Sequence, residues 1–167
     1  LATLGAQVLH NRSVEMAKKY NVNLEVLSSL EKKPGTKVKE VIPVEKMLIR
    51  GVTRDNNVAR IAVIGLPDKP GIAFKVFSLM SKNNINVDII LQSIGRDGTK
   101  DISFTVSSDH KDLAVKVLEE NKQALEAQAI ELNDNVCKLS IVGAGMQTNA
   151  GVATTMFEAL FEAGINI

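Results

Sequence analysis

The stretch Leu66-Pro67-Asp68-Lys69-Pro70-Gly71-Ile72-Ala73 joins an apolar run to a helix-like segment, and it is where this sequence can do chemistry. A helix opens with backbone N–H groups that lack partners, and its dipole adds partial positive charge there. Gly71, Ile72 and Ala73 can present such groups to an anion such as an α-carboxylate. Asp68 can take an ammonium group, or it can cap the helix. The same residues also read as an ordinary Pro-Gly turn ahead of a helix. Further on, Asn86-Val87-Asp88 stands where the next strand begins, with Gln92 four residues beyond Asp88. If the strand end and the helix start share one crevice, an amide and a carboxylate there complete an amino-acid site. The alternative is an Asn turn followed by an edge-strand acid.

Other candidates carry less. Gly143-Ala144-Gly145 opens like a dinucleotide loop, but the position of its third glycine holds Thr148. His10 and His110 have no companions at metal spacing and read as surface or packing residues. Cys137 has no histidine nearby in sequence and reads as a small core residue. The charges of Lys111–Glu126 suit a solvated helix face. No catalytic residue and no metal ligand is expected.

The elements around the first turn follow from periodicity. RIAVIGL at Arg60–Leu66 predicts a strand, and Gly71–Asn83 a helix with Ile72, Val76, Leu79 and Met80 apolar. Val87–Gln92 and Asp101–Ser107 predict strands joined through a turn at Asp97–Gly98. Asp109 is expected to cap a helix whose core face is Leu113, Val117 and Leu118, and Ala129–Leu132 makes a last strand. The order is βαββαβ, an α+β arrangement. Upstream, the pattern predicts a helix broken near Asn11–Ser13, a strand within Asn21–Ser29, a polar loop around Pro34–Gly35 and a strand at Met47–Val52.

The pattern then repeats. Arg60–Gly65 matches Lys138–Gly143, and Gly71–Val87 aligns with Gly151–Ile167 at a constant offset of 80. Gly71/Gly151, Ala73/Ala153, Phe77/Phe157, Ile85/Ile165 and Asn86/Asn166 are identical pairs, so a duplicated module is expected. Thr148-Asn149-Ala150-Gly151-Val152-Ala153 takes the place of the first strand–helix turn.

Composition excludes several classes. Apolar residues at 45% and charged residues at 23% suit a globular chain, and a net charge of +1 gives no pull toward nucleic acid or an anionic membrane. A single cysteine rules out a disulfide within the chain. No apolar run approaches the roughly 20 residues that span a bilayer. The expected location is the cytoplasm.

The duplicated βαββαβ pattern with Asp68-Lys69-Pro70-Gly71 at its first junction resembles the ACT family of amino-acid-binding regulatory modules. More closely, Gly51–Ser93 and Lys138–Ile167 resemble the regulatory half of the aspartokinases, in particular the small regulatory subunit of the lysine- and threonine-regulated type. Gly5–Ser29, followed by Pro34-Gly35-Thr36, is similar to the end of that family's kinase domain.

The resemblance implies tandem ferredoxin-like ACT modules: 1–44 the end of an α/β amino-acid-kinase domain, 45–134 the first module, and 135–167 the start of an incomplete second. It implies a parent enzyme that phosphorylates the β-carboxylate of aspartate with ATP and Mg, and a fragment that is inactive alone, without a cofactor. Some family members carry lysine at the position of Gln7, a departure in the nucleotide-side motif. Threonine or lysine is the implied effector, bound across a homodimer of ACT modules that works with the catalytic subunit or kinase domain. The implied effector residues are Asp68, Gly71, Ile72, Ala73, Asn86, Val87, Asp88 and Gln92, with Asn166 and Ile167 facing a partner's first module. The rival reading is a βαββαβ RNA-binding or protein-interaction module without a ligand. Binding RNA there needs exposed aromatics on the sheet, and Phe104 is the module's only strand aromatic.

Overall fold

A computed structural model describes residues 8–38, 49, 51–94, 98–143 and 151–167. The expectations at Gln7, Asp97, Gly145 and Thr148–Ala150, and most of those at 41–50, lie outside the described residues. Asp55–Lys138 forms one compact unit, and the segments flanking it form a second.

The first unit holds β4 (Ala59–Pro67), α2 (Ile72–Lys82), β5 (Ile90–Ile94), β6 (Thr99–Val106), α3 (Lys111–Leu125) and β7 (Ala129–Asn133), the expected βαββαβ order. Its four strands form an antiparallel sheet in the order β5-β6-β4-β7. Period-2 alternation explains the layering. Ala59, Ile61 and Val63 of β4 lie opposite Val106, Phe104 and Ile102 of β6, and all six are buried beneath the helices. On α2, Ile72, Val76 and Met80 recur one turn apart and bury the same face. Phe77 meets Phe104 edge-on, with centroids 5.5 Å apart.

Strand β4 would lose this alternation near its end without a bulge. The register shifts between Val63 and Leu66, where Gly65 takes φ +69° and donates its N–H to Asp101 Oδ1 at 2.8 Å. The extra residue returns Leu66 to the buried side. Gly65 is required twice over: its φ is left-handed, and a Cβ there would stand 2.3 Å from Gln128 Cδ.

Several expectations shift here. β5 begins at Ile90 rather than Val87, because Thr105 meets the segment irregularly: its Oγ1 accepts from Ile89 N while its carbonyl accepts from Asp88 N, both at 3.0 Å. Leu113 is 41% exposed, and Ala114 takes its place beside Val117, Leu118 and Leu125. Asp109 does not cap α3; the turn before that helix is held by Asn57 Oδ1 accepting from Ser108 N at 3.0 Å and by Ser107 Oγ against His110 Nδ1 at 3.1 Å.

The second unit holds α1 (Asn11–Lys19), β1 (Leu24–Val26), β2 (Thr36–Val38), β3 (Gly51–Asp55), β8 (Lys138–Val142) and α4 (Val152–Glu162). His10 has a local task, its Nδ1 accepting from Arg12 N at the start of α1. β2 pairs antiparallel with β1, so part of the expected polar loop is strand. β3 pairs with β8 rather than with the first unit's sheet. Along the chain, the first βαββαβ unit thus lies between two strands that pair with each other.

The duplication is visible in backbone geometry. Gly71 and Gly151 open α2 and α4 with φ +89° and +99°. Both helices close alike: Asn84 and Gly164 adopt positive φ, and Ile85 N and Ile165 N each reach back 2.9 Å, to Met80 O and Leu160 O.

Candidate functional site

The turn leaving β4 is built by its backbone. Asp68 N donates to Gly98 O at 3.2 Å, and Lys69 N to Pro67 O at 2.9 Å. Gly71 then swings into the left-handed region, and its carbonyl accepts from Lys75 N at 3.0 Å as α2 begins. No side chain caps α2, and its first turn carries no acid. Gly71 has nothing within 4 Å of where a Cβ would sit, so its approach is open. Gly151 repeats these features ahead of α4.

Asp68 is not a cap. Its Oδ1 lies 2.6 Å from Lys100 Nζ, with the side chains 46% and 28% exposed. Lys69 of the same turn pairs with Glu126, and that contact, helped by the charge of Lys75, holds the Glu126 carboxyl below the usual carboxylate range. Sequence reasoning missed Lys100; the signal was its place just beyond the expected hairpin turn, next to the β4 exit.

The register separates the remaining candidates. Gln92 lies opposite Ile102, on the helix side of β5 and toward the α2 start. Asn86, Val87 and Asp88 lie at the other end of the sheet, where Asp88 N meets Thr105 O. Thr105 and Thr99, which mark the two ends on β6, are about 20 Å apart along the strand. One crevice does not hold both groups within a single module. Asp88 is itself ion-paired, with Lys138. Asn166 and Ile167 follow α4 and are exposed, in the repeat position of Asn86 and Val87.

Strand β5 is an edge of the sheet and is exposed throughout. Ile90 and Ile94 share the helix side, and Leu91 lies on the other. Leu91 is 64% exposed and Ile94 89%. A bare apolar edge of this kind invites another chain. The open sheet face carries Arg60, Ser103 and Thr105, whereas Phe104 faces the helices and is buried. The described strands thus lack the stacking surface that RNA needs. A furrow of about 350 Å³ between α2 and α3, lined by Phe74, Leu79 and Leu125 among others, is separate from the turn. Among the described residues no cluster of His, Cys, Asp or Glu could hold a metal ion, Cys137 is exposed rather than in the core, and no helix is long and apolar enough to cross a membrane.

The profile of the ACT domain matches residues 61–121 and 139–167, and so falls on both copies of the repeat. The aspartokinase of Mycolicibacterium smegmatis is 44% identical over 172 residues, covering all of this chain and 41% of that protein. The ligand-free regulatory subunit of aspartate kinase from Thermus thermophilus superposes with a TM-score of 0.67 at 35% identity, over 72% of this chain and 80% of that one. The chain belongs to the ACT-domain family, among the regulatory subunits of the aspartokinases. A structure of aspartokinase alpha and beta subunits agrees, with TM-score 0.65 and 42% identity over 71% of this chain and 78% of that chain. The chain spans about two-fifths of the length of the curated relatives it matches. In ACT terms, the turn at Asp68–Ala73 is the first strand–helix junction of one module, and Gly151 marks the same junction of the other.

Proposed function

We propose that this chain is the feedback sensor of an aspartate kinase, binding threonine or lysine where Gly71, Ile72 and Ala73 open α2. The observation that carries the reading is the start of α2 behind the left-handed Gly71, which has no side-chain cap and open space where a Gly71 Cβ would sit, in a chain of the ACT family. The α-carboxylate of the effector is held by the backbone N–H groups of Gly71 and Ala73, flanking Ile72, whose own N–H donates to Lys69 O at 3.4 Å. Its ammonium group lies between Asp68 and Gln92.

A second chain completes the site. If β5 pairs antiparallel with the corresponding strand of a partner's second module, the start of that strand comes beside the end of β5. Asn166 and Ile167 of the partner subunit then stand near the start of α2. By the repeat, Asn86, Val87 and Asp88 serve the α4 junction of the partner in the same way. The roughly 20 Å between the two ends of one sheet supports such an exchange, because a single small amino acid cannot bridge it.

In the whole protein the sensor acts in the cytoplasm on a kinase domain that uses ATP and Mg to phosphorylate the β-carboxylate of aspartate. Threonine and then lysine are titrated calorimetrically into the chain while its mass in solution is measured. Saturable heat from a dimer is expected; a folded dimer that binds neither amino acid refutes the reading.

A further inference from the structure

We infer that Lys100 sets the charge class of the effector: the α2 site takes an amino-acid zwitterion with an uncharged side chain and disfavours one that carries a second cation. This deepens the effector reading above and rests on it. Lys100 is fixed from two directions. It sits on β6 opposite Leu66 of β4 and opposite Ile94 of β5, and its ammonium lies 2.6 Å from Asp68 Oδ1. Asp68 is tethered in turn through its N–H to Gly98 O, at the start of the same hairpin arm. The cation is therefore part of the turn that receives the ligand, and it is only 28% exposed.

The described charges around the turn are Lys69, Lys75 and Lys100 against Asp68 and Glu126, three cations to two anions. The start of the helix adds further partial positive charge. Both carboxylates already carry a lysine. Asp101 does not redress the balance, since it alternates to the other side of β6 from Lys100 and accepts from Gly65 N. Asp88 is at the far end of the sheet, paired with Lys138. A ligand's α-carboxylate gains from this field, and its α-ammonium shares Asp68 with Lys100. Among the described residues, a second ammonium on the side chain finds no carboxylate at the turn that is free of a lysine, and it is repelled by Lys100. Two like charges several ångströms apart at a protein surface weaken binding by roughly five- to tenfold.

The test is calorimetric titration of threonine and of lysine into the unaltered chain and into Lys100→Gln and Lys100→Arg. The unaltered chain and Lys100→Arg are expected to favour threonine, and Lys100→Gln to raise lysine affinity relative to threonine by about fivefold or more. Raising the salt concentration should narrow the threonine preference of the unaltered chain, a readout that needs no variant. If both amino acids bind with equal affinity, or threonine binds all three proteins and the ratio does not move in Lys100→Gln, the inference is overturned and the effector reading stands. If neither amino acid binds any of the three folded proteins, the effector reading fails and takes this inference with it.

Discussion

Gly65→Ala and Gly71→Ala put the same methyl group on two left-handed backbones but into different surroundings. At Gly71, φ +89° opens onto empty space, so alanine meets only the conformational cost of that region, about 1–2 kcal/mol. At Gly65 the new Cβ would lie 2.3, 2.5 and 2.7 Å from Cδ, Cγ and Oε1 of Gln128. Clearing that space forces Gln128 off its rotamer, which adds about 1 kcal/mol, for a total of roughly 2–3 kcal/mol. Against a domain stability of about 5–15 kcal/mol both losses are measurable by urea unfolding followed by circular dichroism. The three crowding atoms all lie beyond Cβ of Gln128, so Gln128→Ala should return Gly65→Ala to the cost seen at Gly71. Equal costs for the two single glycine variants, or no rescue by Gln128→Ala, would refute the argument from close approach.

Asp101→Ala should cost about 1–3 kcal/mol, because it strips the acceptor from the half-buried Gly65 N–H, and Asp101→Asn should cost less; urea midpoints decide. Glu126 and Asp134 sit below their usual values of 4.5 and 3.8 because Lys69 and Lys111 hydrogen-bond them. Their contribution is complete above those values and fades as pH falls through the lower folded values, so Glu126→Gln with Asp134→Asn should flatten the acid side of a stability–pH curve. Lys111 is raised above 10.5 by Asp134, so its share is complete below that value and is lost as pH rises through the higher folded one. Leu91→Lys with Ile94→Lys should leave monomer stability within about 0.5 kcal/mol, since both side chains are exposed, while abolishing the proposed dimer in sedimentation velocity.

What the sequence made legible was whatever repeats locally. Alternation in Arg60–Leu66, the 3.6-residue spacing of Ile72, Val76 and Met80, and the offset of 80 between Gly71 and Gly151 each depend on near neighbours. The βαββαβ order follows from them. The pairing of β3 with β8 depends on residues more than 80 positions apart, and nothing within Gly51–Asp55 signals that partner. The bulge at Gly65 was hidden for the same reason, since its cause is contact with Asp101 and Gln128 from other strands and turns. At the candidate site the turn and its glycine were readable, but the partners of its charges were not. Lys100 and Lys138 reach Asp68 and Asp88 only once the sheet has formed.

If the effector site is shared between chains as proposed, effector binding and association become one equilibrium. Within one module the two ends of β6, marked by Thr99 and Thr105, are about 20 Å apart, so in the proposed site each end offers half of the contacts an amino acid needs. Duplicating the module places both halves twice along the chain, and the proposed antiparallel pairing through β5 would bring unlike halves together. Effector binding is then linked to association: a ligand bound only by the paired form stabilises it by RT ln(1 + [L]/Kd), about 2.7 kcal/mol at a hundredfold excess over Kd. Linkage is reciprocal, so pairing tightens the effector by the same factor by which the effector tightens pairing. The apparent affinity for threonine should therefore rise as the chain is concentrated through its dimerisation range. If affinity stays constant from the monomer to the dimer, each half binds alone and the exposed edge of β5 serves some other end.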